Sequence, residues 1–242
     1  MLTGRPISLT VLDYGTFRVH SGPRIIGLMG ALVQTDAGER VLIDTGMPAK
    51  YARDADAAGT EDGLHSFGEI VSMSAENLPD AQLAKAGVDG IDLLVISHTH
   101  IDHIGGLHGW PGVPMVISAV ERALPKPLYW SGGQMMEWPD RETRLIHGGG
   151  TLGPGFEVFF TPGHAPGQLA FAIDLPATGR VIWTSDAISR PAEIDEAFDT
   201  AWEPQTALHH ARRLCAMPHD LMIYGHCPEQ WKTLRKAPEA YT

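Results

Sequence analysis

The chain is poor in cysteine, in basic residues and in long apolar runs, and each shortage removes a class of protein. Only Cys215 and Cys227 occur among its 242 residues, too few for a disulfide framework, so a reducing cytosol is the expected compartment. Lys and Arg number 18 against 29 Asp and Glu, a net charge of −11 with His neutral. That balance argues against a nucleic-acid surface, which draws on clustered Lys and Arg. The longest uncharged apolar stretch, Ile25 to Val33, is far short of the ~20 residues that span a bilayer. Met1 to Pro6 lacks the basic-then-apolar pattern of a secretory signal. Repeats and low-complexity tracts are missing too. The expectation is a soluble, cytoplasmic protein with neither a membrane nor a nucleic-acid partner. Its oligomeric state is left open, with a homodimer as one option.

What remains is ordinary globular composition, 43% hydrophobic and 19% charged, in a chain long enough to bury a core without a staple. One domain over residues 1–242 is expected. Strand-like runs come first, at Ile7 to Leu12, Ile25 to Gln34 and Val41 to Ile43. Residues 47–75 are polar and glycine-containing, a long loop of the kind that serves as a lid or substrate-binding segment. Pro79 and Gly87 punctuate a helix. Further strands are expected at Ile91 to Ile96, Val113 to Ser118, Phe156 to Phe160, Leu169 to Ile173, Val181 to Thr184 and Leu221 to Tyr224. A short helix is expected around Ala119 to Ala123 and a longer one over Pro204 to Met217. This loose alternation predicts an α/β class with sheets covered by helices.

The densest chemistry is Ser97-His98-Thr99-His100-Ile101-Asp102-His103, directly after the apolar run Ile91 to Ile96. Polar groups gathered at a strand's end cost on the order of 2–7 kcal/mol each when buried without compensation. His98 and His100 alternate by two and project to one side of an extended chain. Asp102 and His103 follow as the chain turns and can face a neighbouring position. Imidazole and carboxylate suit zinc and similar divalent ions. Two ions about 3.5–4 Å apart fit this density of ligands better than one.

More ligands are then expected at other strand ends. His164 sits in the turn Thr161-Pro162-Gly163-His164-Ala165-Pro166-Gly167-Gln168. Asp186 follows the run Val181-Ile182-Trp183, and His226 follows Leu221-Met222-Ile223. Asp44, after Leu42-Ile43, is a candidate acceptor for the outward N–H of a ligating histidine, a bond that fixes ring orientation. Phe67, Met73, Trp130, Met135, Met136 and Trp138 are candidates for an apolar substrate pocket.

The HxHxDH run, the later Thr-Pro-Gly-His, the aspartate after a strand and the final Gly-His resemble the metallo-β-lactamase superfamily. The resemblance spans nearly the whole chain. It implies a four-layer αβ/βα sandwich with two divalent metal ions at one edge, zinc being the expected metal. One ion would be held by His98, His100 and His164, the other by Asp102, His103 and His226, with Asp186 bridging both. Leu42-Ile43-Asp44-Thr45-Gly46-Met47-Pro48, the stretch from Gly225 to Gln230 and the tail Ala237-Pro238-Glu239-Ala240-Tyr241 look like the N-acyl-homoserine lactone hydrolases that quench quorum signals. Those enzymes carry a substrate-contacting tyrosine three residues after the bridging aspartate, where this chain has Ser189.

The expected chemistry is attack of a metal-bridging hydroxide on a lactone carbonyl, with Asp102 shuttling a proton to the leaving oxygen. Ser189, Phe67 and Met47 are the candidate substrate contacts. A related ester or thioester hydrolase resembling glyoxalase II is the alternative, and a phosphodiesterase a more distant one.

Overall fold

The computed structural model describes residues 1–129 and 136–242; Trp130 and Met135 lie outside the described residues. The first sheet carries β1 (Pro6–Val19), β2 (Arg24–Thr35), β3 (Arg40–Ile43), β4 (Gly68–Ser72), β5 (Leu93–Val95), β6 (Met115–Ser118) and β7 (Thr143–Ile146). They lie in the order β4-β1-β2-β3-β5-β6-β7. The second sheet holds β8 (Gly149–Gly153), β9 (Phe156–Phe160), β10 (Leu169–Leu175), β11 (Gly179–Ser185) and β12 (Leu221–Tyr224), ordered β12-β11-β10-β9-β8. Helices α1 (Ala55–Asp62), α2 (Pro79–Lys85), α3 (Ile101–Ile104) and α4 (Ala119–Arg122) interrupt the first half of the chain. Helices α5 (Ala192–Asp195), α6 (Pro204–Cys215) and α7 (Pro228–Trp231) interrupt the second.

The period-2 alternation of strand side chains sorts the core into layers. Val41, Ile43, Leu93, Val95 and Val116 point toward the second sheet, where Phe156, Val158, Phe171, Ile173, Val181, Trp183 and Ile223 meet them. Their neighbours Leu42, Leu94, Met115 and Ile117 point the other way, onto Ala58 of α1, Leu83 of α2 and Ile101 and Ile104 of α3. On the far side Ala170, Ala172, Ile182 and Met222 pack against Ala207, Leu208, Ala211 and Leu214 of α6. Helix, sheet, sheet, helix is the four-layer sandwich that the resemblance implied. Because both faces of both sheets are covered, the inner strands read as continuous apolar runs.

Several segments differ from expectation for identifiable reasons. β1 runs well past Leu12, to Val19, because one extra residue between Asp13 and Thr16 forms a β-bulge against β2. The extra residue reverses the parity of the strand: Leu9 and Val11 face the second sheet, whereas Phe17 and Val19 face the outer layer with Leu12 and Tyr14. Residues 47–75 are not a bare loop. They contain α1, capped by Asp54 through its bond to the Ala57 amide, and β4, which pairs with β1 at the sheet edge. An edge strand with polar and exposed positions has no clean alternation to read. β7 and β8 were likewise invisible, being half-exposed or glycine-rich. No helix among the described residues is long and apolar enough to cross a membrane.

Strands β3, β5 and β6 run parallel, as do β11 and β12. Their C-terminal ends share one edge, where open α/β sheets place their ligand sites. Phe171, fully buried and edge-to-face on its sheet neighbour Phe156, lies in the apolar layer between the two sheets. Phe171→Ala should cost about 3–5 kcal/mol of unfolding free energy in denaturant melts; a loss under ~1 kcal/mol would mean the layers do not meet there.

Candidate metal centre

Two strand ends, and the segment beside His100, turn sharply into the site. Asp44, after β3, has φ 61°, Ser185, ending β11, has φ 45°, and Tyr129, beside His100, has φ 57°. Left-handed geometry at such residues is costly and persists only where surroundings enforce it. α3 can end this close to the segment after β3 because its C-cap, residue 105, is glycine: a Cβ there would lie 2.0 Å from the Met47 carbonyl carbon.

Seven predicted side chains converge at this edge: His98, His100 and His164 form one group, Asp102, His103 and His226 a second, and Asp186 joins His98 and His103 in a third. His100 Nδ1 stands 3.1 Å from His98 Nε2 and 2.9 Å from His164 Nε2. Asp186 Oδ2 lies 3.3 Å from His164 Nε2 and 3.2 Å from His226 Nε2, between the two groups. Asp102 Oδ2 is 3.3 Å from His226 Nε2 and 3.5 Å from His103 Nε2. Two ligands about 2.0–2.1 Å from a shared ion in tetrahedral array stand about 3.3 Å apart, so these spacings suit joint coordination.

The bonds behind the rings decide which nitrogens face inward. His103 Nδ1 donates to Asp44 Oδ2 at 2.9 Å, and His226 Nδ1 donates to the Gly27 carbonyl at 2.8 Å. Ser97 Oγ donates to Asp44 Oδ2 at 2.7 Å and accepts from Ser185 Oγ at 2.9 Å, so its remaining lone pair takes the His98 Nδ1 proton at 3.1 Å. All three rings therefore aim Nε2 at the cluster. The Asp44 carboxylate occupies the predicted place, and it also accepts the Ser97 amide at 2.8 Å.

Electrostatics divide the set. Burial, reinforced by neighbouring imidazoles, pushes His98 and His164 down and His100 to about 3, so all three present free lone pairs at neutral pH. Burial also opposes charge on His103 and His226, but the adjoining carboxylates outweigh it and hold both rings well above the usual histidine range. Asp102 and Asp186, though buried, are held well below the ordinary carboxylate range by those same imidazoliums. Even so, His103 Nε2 and Asp186 Oδ1 are buried with no hydrogen-bond partner. Orphaned ligand atoms facing one another, beside three converging lone pairs, are what a divalent cation would satisfy. The donor set fits two such ions.

The substrate-side candidates are more dispersed. Ser189 is half-buried; its amide donates to Glu193 Oε2 at 2.7 Å and its carbonyl accepts from the His226 amide at 2.8 Å. Phe67 is 41% exposed and stacks on Phe17. Met47 is packed into the outer core at 2% exposure, its side chain among apolar neighbours. Trp138 is tied to the Leu124 carbonyl at 2.8 Å, and Met136 lines a cavity of about 550 Å³ with Pro48, Lys50, Arg53 and Tyr129. Tyr129 exchanges backbone hydrogen bonds with Thr99 and Ile101, on either side of His100, so one wall residue of that cavity is held to the segment that carries His100. The sequence named Met136 and the 47–75 segment as candidates for such a wall but gave no sign of Tyr129 or of Asp62, whose buried carboxylate receives Lys50, Tyr51 and Tyr129. No spacing motif links those residues.

The metallo-beta-lactamase superfamily model matches residues 31–226. The chain belongs to the metallo-β-lactamase superfamily. Within this superfamily it is similar to an N-acyl homoserine lactonase of Bacillus thuringiensis, 30% identical over 217 residues, 86% of this chain and 84% of that one. It is also similar to a lactonase of Agrobacterium fabrum, 28% identical over 66% of this chain and 68% of its relative. A solved N-acyl homoserine lactone hydrolase with N-hexanoyl-L-homoserine at its catalytic metal centre superposes with TM-score 0.82 at 24% identity, covering 99% of this chain and 100% of that one. A dizinc quorum-quenching lactonase superposes with TM-score 0.65 at 16% identity, over 93% and 91%. At those identities the solved structures speak for the shared metallo-β-lactamase fold.

Ligation through Nε2 requires His103 and His226 to give up their protons. Loading the metal-free protein with zinc at pH 7 should therefore release about two protons, read by calorimetry in buffers of different ionisation enthalpy. Apparent affinity should weaken as pH falls. Uptake with no proton release would contradict the charged state of these rings.

Proposed function

We propose that this chain is a binuclear metal-dependent hydrolase that opens a lactone ring, with N-acyl homoserine lactones as the first substrate class. The observation that carries this reading is the seven-ligand cluster, with its orphaned His103 Nε2 and Asp186 Oδ1, beside a cavity of substrate size. Similarity to curated lactonases supports the choice of substrate class.

His98, His100 and His164 would hold one ion, Asp102, His103 and His226 the other, and Asp186 would serve both. When bound, such a pair polarises a carbonyl and makes water a competent nucleophile at neutral pH; imidazole and carboxylate donors make zinc the expected metal. Asp102 side chain is 19% exposed against 6% for Asp186, so it is the carboxylate at the open side. It takes the proton lost by the attacking water and returns it to the ring oxygen as the acyl C–O bond breaks, leaving the hydroxy acid. Asp44 holds the His103 ring, and the Gly27 carbonyl that of His226, so neither reorganises during turnover. The 47–75 segment supplies Pro48, Lys50, Arg53 and Glu61 to the cavity wall, the place for an acyl chain. At the position of the lactonases' tyrosine stands Ser189, and the hydroxyl of Tyr129, whose backbone pairs beside His100, is engaged by Asp62. The carbonyl contact is therefore the feature most open to a change of substrate within this class.

A panel of short and long acyl-homoserine lactones, simple γ- and δ-lactones, aryl esters, a thioester and bis-p-nitrophenyl phosphate, with metal content measured, tests the reading. The lactones should turn over fastest. Faster cleavage of the thioester or the phosphodiester would replace this assignment by one of those activities. Asp102→Asn should lower kcat by roughly 10²–10⁴-fold; full turnover with both metals bound would remove the shuttle role.

A further inference from the structure

Glu121 is fully buried on α4, outside the ligand cluster, and accepts from two separate loops. Its Oε2 takes the hydroxyl proton of Thr99, the residue between His98 and His100, through a short bond. Its Oε1 takes the Gly167 amide at 2.9 Å, in the turn that carries His164. One carboxyl thus clamps together the two loops that present His98, His100 and His164. Thr99, also fully buried, passes the constraint on, since its Oγ1 accepts the Leu128 amide at 3.0 Å beside Tyr129. The clamp is itself rigid: Ser118 Oγ caps α4 through the Glu121 amide at 3.1 Å. The turn is pressed against it, because a Cβ on Gly167 would lie 2.0 Å from Ser118 Oγ and 2.5 Å from Glu121 Cγ.

Burial raises the Glu121 carboxyl above its ordinary range despite these donors. A carboxyl kept at such a site without a cationic partner among the described residues is costly unless its two bonds matter. We infer that Glu121, acting through Thr99 and Gly167, is the positioning residue that sets the spacing of His98, His100 and His164, and so the affinity of that one metal site. The inference rests on the binuclear reading above. The other group, Asp102, His103 and His226, is oriented by Asp44 and the Gly27 carbonyl and does not touch this clamp.

The test is zinc binding to metal-free protein, with the two stages resolved by a competing chelator. The near-isosteric Thr99→Val and the conservative Glu121→Gln each break one arm, and Thr99→Val keeps the test open if changes at Glu121 impair folding. One stage should weaken roughly 10–100-fold, the scale for residues that orient metal ligands. The other stage should be unchanged. The weakened stage should be the one that survives in His226→Ala. Equal weakening of both stages would reduce Glu121 to a general structural role, and no weakening of either would refute the clamp. Wild-type protein that takes up no zinc would instead overturn the metal centre itself, and this inference with it.

Discussion

Everything at the functional edge depends on how the two sheets are joined there, and the junction is Ser97. Its carbonyl accepts the Leu169 amide at 2.9 Å and its hydroxyl receives Ser185 Oγ, both from the second sheet. Its amide and hydroxyl bind Asp44, from the neighbouring strand of the first. Asp44 in turn holds His103, and Ser97 holds His98. A few buried hydrogen bonds therefore fix both the inter-sheet distance and the aim of two imidazoles. Such bonds are strong in a low-dielectric setting and expensive to leave unmade, so sheet register and site geometry are bound together.

The same economy explains the strained backbone at this edge. Asp44, Ser185 and Tyr129 have positive φ, and each lies where the chain reverses to deliver a polar group to the edge. The apolar layer between the sheets, with Phe156, Phe171 and Trp183 enclosed, supplies the burial that makes these conformations tolerable. The ligand cluster is a concentration of charge and lone pairs that the fold assembles without satisfying. Asp186 Oδ1 and His103 Nε2 carry that deficit, and a divalent cation would remove it.

Local grammar made much of this legible. Phe156–Phe160 and Leu221–Tyr224 fall where apolar runs begin and end, and α2 starts at Pro79. The ligand candidates were readable because each follows a strand. Less visible were elements whose identity depends on a neighbour. β4 is a strand because β1 lies beside it, and β1 reaches β4 only through its bulge. The packing of Met47 is equally non-local, since its backbone meets the C-terminal end of α3 at Gly105. Glu121 and Asp62 carry no motif at all, since their partners lie in distant loops.

By itself the sequence determined the layered α/β architecture, through the alternation of apolar runs, and the inventory of metal-binding groups, through the run from His98 to His103 and the three later strand ends. Only the tertiary structure decided which ring nitrogens face inward and which carboxyls hold them there. Side-chain type and local period are written along the chain. Spacing across two sheets is not, because it arises from packing and from hydrogen bonds between residues far apart in sequence.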